Sequence, residues 1–321
     1  MTTESLSKII LMKPLIPLRF SFVLLLFVAI SCKNFKNDVV TVDFTKTTTS
    51  ENTTNQNDTV TPLRVAVSAM ISPSETFIYY KELFDYISVK INRPIKFEQR
   101  KTYSEINEML AKHQVDVAFV CSGAYIRNKE NCELLVIPII HAMPYYRAYI
   151  IVNNSSSLYT FKGLRGKTFA YTDPLSNTGK LYPERRIKEL FHQSGKSFFS
   201  KIIYTHAHDN SIQLVSKNIV DAASIDGLIY DYISKKSPQK VKNIRIIEKS
   251  KYMGTPPVVT AMGIDKELKK KLEEIFLNMH HDSVGKIILN ELMIDKFVVT
   301  RDTLYSKLDS LTDESPQKSN K

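Results

Sequence analysis

The chain has 321 residues, 43% of them hydrophobic and 24% charged, a globular composition long enough for two domains. Its net charge of +11 admits nucleic acid, an anionic membrane surface or an anionic ligand as partner. No basic cluster interleaved with aromatic residues is present, which argues against nucleic acid.

Lys8, Lys13 and Arg19 precede a mostly apolar run, Phe20 to Ile30, that is too short for a comfortable membrane span. The run ends in Ala29-Ile30-Ser31-Cys32, which resembles a bacterial lipoprotein signal. That resemblance implies removal of residues 1–31 and a lipid on Cys32. Residues 32–61 are polar and aperiodic and are expected to act as a tether. Signal, lipid and tether together imply a folded part outside the cytoplasm, held at a membrane surface. Cys121 and Cys132 remain, and export permits a disulfide between them, although their spacing matches no metal or redox pattern.

From Leu63 the pattern alternates. Leu63–Ala69 reads as a buried strand, and Ser74–Ile91 as a helix with Phe77, Tyr80, Leu83, Phe84, Ile87 and Ile91 on one face. Ile95–Gln99 is a second strand, Ser104–Leu110 a short helix with Ile106, Met109 and Leu110 inward, and Val115–Val120 a third strand. This rhythm predicts a parallel sheet with helices on its faces, and ligands bind such sheets outside the carboxyl ends of the strands. Those ends are Ser68–Ser72, Arg100–Tyr103 and Cys121–Tyr125. Leu134–Ile140 and Tyr145–Val152 are strand-like, and the second of them can carry the chain to a new lobe.

The rhythm then restarts, with strands at 167–171, 201–204, 220–225 and 243–247 and helices at 183–192, 209–218 and 227–234. Pro256–Met262 is a return strand, Asp265–His280 and Ser283–Leu292 are helical, and the end from 313 is a polar tail. The predicted architecture is α/β, with two lobes, each a mainly parallel sheet, and two chain crossings. Residues 62–147 and 258–312 form one lobe and 148–257 the other.

Within the second lobe, Asp173-Pro174-Leu175-Ser176-Asn177-Thr178-Gly179-Lys180-Leu181-Tyr182-Pro183 links a strand to a helix. Ser176, Asn177 and Thr178 are helix-capping residue types. A helix N-terminus with small hydroxyl residues offers N–H and O–H donors to an oxyanion, but the motif alone is equally a capped turn.

Four stretches in register resemble the substrate-binding proteins of ABC importers for phosphonate, phosphite and phosphate. They are Lys101–Ile106, His113–Phe119, the Asp173–Pro183 turn, and Ala207-His208-Asp209-Asn210-Ser211 followed by Val220-Asp221-Ala222-Ala223. The ending Leu292–Phe297 also fits, so the resemblance spans about residues 62–308. It implies the two-lobed type II periplasmic binding protein fold. It further implies that Ser176, Asn177 and Thr178 hold the oxyanion, that His208 points into the cleft, where a charged imidazole would add an ion pair to the anion, and that Tyr103 donates its hydroxyl from the opposite lobe. His206 would face away.

Ser122 and Tyr125 are weaker candidates, from the small-residue segment at the third strand end. Where relatives place carboxylates against a ligand amine, this chain has Leu228 and Pro256, with Asp226 close by as a substitute or as a residue that orients a neighbour. The family's cleft tyrosine after "Val-Asp-x-Ala" falls on Val120. These departures point away from an amine-bearing ligand. No metal or cofactor is expected, and no Walker loop, His-Glu-x-x-His helix or nucleophile–base pair suggests an enzyme. The expected protein is a monomeric, lipid-anchored solute-binding protein serving an ABC permease. The alternative is the same module acting as a sensor for a membrane signalling protein.

Overall fold

The computed structural model describes residues 61–305. The signal segment, Cys32, the tether up to residue 60 and the tail from 313 lie outside the described residues.

In chain order the elements are β1 (Leu63–Val67), α1 (Pro73–Ile91), β2 (Ile95–Gln99), α2 (Tyr103–Ala111), β3 (Val117–Phe119), α3 (Ser122–Ile126), β4 (Cys132–Ile139), β5 (Tyr145–Tyr146) and β6 (Ala148–Asn153). There follow β7 (Thr168–Tyr171), a π-helical turn (Asn177–Leu181), α4 (Tyr182–Phe191), α5 (Gly195–Phe198), β8 (Lys201–Tyr204), α6 (His208–Ser216), β9 (Ala222–Asp226) and α7 (Gly227–Lys236). The last are β10 (Ile244–Lys249), β11 (Met253–Gly254), β12 (Val258–Ala261), α8 (Lys266–Asn278), α9 (Ser283–Glu291) and β13 (Lys296–Val298).

The strands form a six-stranded sheet ordered β13-β4-β12-β3-β1-β2 and a five-stranded sheet ordered β10-β6-β9-β7-β8. The two-lobed α/β class agrees with expectation, but the sheets are mixed rather than mainly parallel. Strands joined through helices pair in parallel: β1 with β2 and β3, β7 with β8 and β9. The strands next to the crossings have no such helical return and pair antiparallel: β12 with β3 and β4, β6 with β9 and β10. The chain leaves the first sheet after Ile139 and returns at Val258. In these two connections β5 and β11 pair antiparallel in a two-residue ladder, with Met253 opposite Tyr146 and Gly254 opposite Tyr145.

Each sheet is covered on both faces. In the first lobe, Leu83, Phe84 and Ile87 of α1 meet Phe276 of α8 and Leu289 of α9 on one face, and Ile106, Met109 and Leu110 of α2 pack on the other. Phe77 does not join this core. It is 52% exposed near the start of α1, because helical periodicity gives the side of a helix but not how far the core reaches along it. Cys121 and Cys132 are separate buried thiols, with no disulfide between them. Among the described residues, no helix is long and apolar enough to cross a membrane.

Candidate functional site

The site assembles where the carboxyl ends of both sheets meet. After β7 the chain folds Asp173 back on itself, its Oδ1 accepting from Leu175 N–H at 2.8 Å. Ser176 then caps the next turn, its Oγ accepting from Gly179 N–H at 2.9 Å. The Lys180 and Leu181 amides both reach the Ser176 carbonyl, at 3.1 and 2.9 Å, which widens this turn to π-helical pitch. Only glycine fits at 179, since a Cβ there would stand 2.5 Å from Thr172 Oγ1. Gly179→Ala is therefore expected to lower the melting temperature of the unliganded protein by several degrees, as overpacking of about 1–3 kcal/mol would. An unchanged melting curve by circular dichroism would show that the turn yields.

Two elements of the first lobe close on this turn. A Thr102–Glu105 capping box starts α2 at Tyr103. The Tyr103 N–H donates to Asp173 Oδ2 at 3.1 Å, which fixes the lobes against each other. At the start of α3, the Asn177 amide nitrogen lies 3.0 Å from Ser122 Oγ and 3.5 Å from Tyr146 Oη, and these two hydroxyls meet at 2.8 Å. Both hydroxyls can donate or accept, so the flipped amide is satisfied equally well and turns its N–H donors toward the site. A third contact joins His208 N–H to the Met70 carbonyl at 2.9 Å.

Six fully buried residues carry a polar atom with no hydrogen-bond partner among the described residues: Thr260 Oγ1, within β12, and a set of five, Ser68 Oγ, Tyr103 Oη, Asn177 Oδ1, Thr178 Oγ1 and His208 Nε2. These five belong to strand ends and turns around the Asp173–Pro183 segment. A buried polar group left unpaired is costly, so five together make this the candidate contact set for a polar ligand.

His208 opens α6, and burial pushes its pKa down to about 3. The imidazole is therefore neutral, against the expectation of a charged ring. Its Nδ1 accepts from Asp226 N–H at 3.1 Å and lies 3.0 Å from Thr172 Oγ1, so the ring proton sits on the unpartnered Nε2. Asp226 N-caps α7 through Leu228 N–H at 2.8 Å, and burial raises its pKa to about 7. It orients His208 through its backbone.

Tyr125 is not among these unpartnered groups. Its hydroxyl donates to Asp302 and its ring packs against Tyr305 in the first-lobe core. His206, with φ +62°, lines a different cavity, with Arg100, Lys101 and Asn210. Sequence reasoning missed Ser68 and Tyr146 as individual contacts. The position of Ser68 just beyond β1 was a usable signal, whereas nothing local marks Tyr146.

Beside the polar group lies a cavity of about 70 Å³, lined by Met70, Phe119, Val120, Asp226, Leu228 and Pro256 among others. The three departures noted in the sequence, Val120, Leu228 and Pro256, all face this one cavity.

Comparison with known proteins gives a consistent picture. The model of a family described as "ABC transporter, phosphonate, periplasmic substrate-binding protein" matches residues 65–305. The phosphonates-binding periplasmic protein of Escherichia coli (strain K12) is 26% identical over 153 residues, a stretch covering 46% of this chain and 45% of that protein. The match thus spans less than half the length of that relative.

Among solved structures, a binding protein component of an ABC phosphonate transporter from Pseudomonas aeruginosa superposes with a TM-score of 0.75 at 18% identity, covering 78% of this chain and 85% of that one. A Prochlorococcus marinus (MIT 9301) protein solved with methylphosphonate gives 0.72 at 15% identity, covering 78% and 97%. At these identities the two structures bear on fold alone.

Proposed function

The chain belongs to the periplasmic substrate-binding proteins of phosphonate ABC transporters, and from that premise we propose that it captures a phosphate-, phosphite- or phosphonate-type oxyanion outside the cytoplasm and delivers it to an ABC permease. The observation that carries this reading is the convergence of the five unpartnered buried atoms, four of them hydroxyl or imidazole groups able to donate. Neutral donors aimed into a site closed to water hold an oxyanion without a counter-charge. Ser176 adds its hydroxyl proton, since its oxygen is already engaged by Gly179. Asn177 contributes its amide, and Ser122 positions that amide. The protein acts by binding and carries out no reaction.

The cavity extends this reading to the rest of the ligand. Its walls are apolar and aromatic, and Asp226 is engaged at the α7 cap. A small uncharged alkyl substituent gains from burial there, about 0.8 kcal/mol per CH₂, whereas an ammonium group loses its hydration. Titration calorimetry should rank ethylphosphonate above methylphosphonate by about threefold to fourfold. It should place 2-aminoethylphosphonate well below both. Equal or tighter binding of the amino compound would assign Asp226 to an ammonium and overturn the alkyl reading. Thr178→Val keeps the shape and removes one donor, so affinity should fall by about 1.5–3 kcal/mol, roughly tenfold to a hundredfold. Wild-type affinity in that variant would leave the turn as a helix cap only.

The N-terminus supports membrane attachment. Residues 1–31 are cleaved and Cys32 carries lipid, on the strength of the n-region, the short apolar run and the Ala-Ile-Ser-Cys junction. Mass spectrometry of detergent-extracted protein should show a lipidated Cys32 terminus, and an intact Met1 would rule this out. The mature protein is expected to act as a monomer.

A further inference from the structure

Arg185 is not accounted for by the ligand site. It lies on α4, facing the connection that carries β11. Its Nη1 is buried without a hydrogen-bond partner among the described residues, and Nη2 reaches only Met253 Sδ, at 3.7 Å. The neighbouring Arg186 differs: its Nε and Nη2 hold Glu248 at 3.0 and 3.3 Å, and Glu248 also accepts from Tyr182 Oη at 2.5 Å. Glu248 is thereby occupied and cannot serve Arg185. Burial lowers the Arg185 pKa, yet a guanidinium stays charged in a protein. A charged donor kept from water with no acceptor is costly, and that cost is relieved when an acceptor arrives.

In front of Arg185 opens a cavity of about 370 Å³, lined also by Arg186, Glu189, Lys249 and Lys251. Four cations and two carboxylates, Glu189 and the engaged Glu248, leave the walls with an excess of positive charge. We propose that this cavity is a second anion site, distinct from the cleft, which takes a small tetrahedral oxyanion such as phosphate or sulfate with Arg185 as its fixed donor. Lys249 stands over the Tyr149 ring, which leaves Lys251, an exposed lining residue, as the further cation. The site touches the joint between the lobes, since Met253 pairs with Tyr146 in the two-residue ladder.

The test is equilibrium dialysis of the full chain against radiolabelled inorganic phosphate at constant ionic strength, in wild type, Thr178→Val, Arg185→Gln and Arg185→Lys. Phosphate bound at this site should be spared by Thr178→Val, abolished by Arg185→Gln and weakened by Arg185→Lys, which keeps the charge and loses the planar fork. This pattern is expected whether or not the cleft itself accepts phosphate, so the site stands or falls independently of the transport reading. Arg185→Gln removes a buried charge and should fold, and circular dichroism checks this. If it does not fold, Arg185→Lys decides alone. Wild-type binding in the folded arginine variants would overturn the proposal. So would complete displacement by chloride at equal ionic strength, which would mean an adventitious ion only.

Discussion

Gly123→Ala is expected to weaken ligand binding by tenfold to a hundredfold or more while leaving both sheets folded. A Cβ at 123 would stand 2.3 Å from the Leu175 carbonyl oxygen and 3.0 Å from the Asn177 nitrogen, both backbone atoms of the opposite lobe. A carbonyl cannot rotate aside as a side chain would, so the lobes must separate. Overpacking of this kind costs about 1–3 kcal/mol or more, which converts to roughly that loss of affinity. The penalty falls only on the arrangement in which the lobes meet. The unfolding transition of the unliganded variant should therefore stay close to wild type, and calorimetric affinity should drop. Gly163→Ala is the control, because its nearest new contact is an ordinary 3.6 Å. Retained affinity in Gly123→Ala would show that binding does not require this approach of the lobes.

His208→Ala should weaken binding by about 1.5–3 kcal/mol, the range for a hydrogen bond to a charged group, and the pH profile should identify the reason. The imidazole pKa is pushed from 6.5 to about 3, so the ring is neutral throughout the physiological range, and anion affinity should not fall on its account as pH rises through 6.5. Asp226, raised from 3.8 to about 7, ionises near neutrality and places a negative charge beside the ligand. Affinity for methylphosphonate, corrected for its own titration, should therefore decline as pH rises through 7, and Asp226→Asn should flatten that decline. A decline that survives in Asp226→Asn and disappears in His208→Ala would put the charge on the imidazole.

The same two groups act oppositely on stability. The depressed His208 pKa gives a contribution that is complete above pH 6.5 and lost as pH falls toward 3. The raised Asp226 pKa gives one that is complete below pH 3.8 and lost as pH rises through 7. Between these limits the two slopes offset.

The strand–helix rhythm was legible because it is periodic and local: α1, α2, β2 and β8 lie within a residue or two of their expected bounds. Strand direction was not, because it depends on where a chain returns from. β12 carries the same apolar run whether it pairs parallel or antiparallel. The pairs β5–β11 and β13–β4 span two and three residues, too few for any periodicity to register. In the site, the Ser176–Thr178 turn and His208 were visible as motifs. The charge state of His208 was not, since burial is a property of the assembled fold. Tyr125 was misplaced because its partner, Asp302, is 177 residues away in sequence.

The two-residue ladder between β5 and β11 has a mechanical consequence. Two separate connections could bend one at a time and let the lobes shear. Hydrogen-bonded to each other, they form a single torsion bar, and any opening of the cleft becomes a twist about it. The last described turn of the chain presses on that bar: Tyr305 Oη donates to the Thr255 carbonyl at 2.7 Å, and a Cβ at Gly254 would meet Leu304 at 2.8 Å. The C-terminal segment thus works as a damper. Tyr305→Phe removes that hydroxyl contact while keeping the buried ring, and stopped-flow release should register the loss as a changed off-rate.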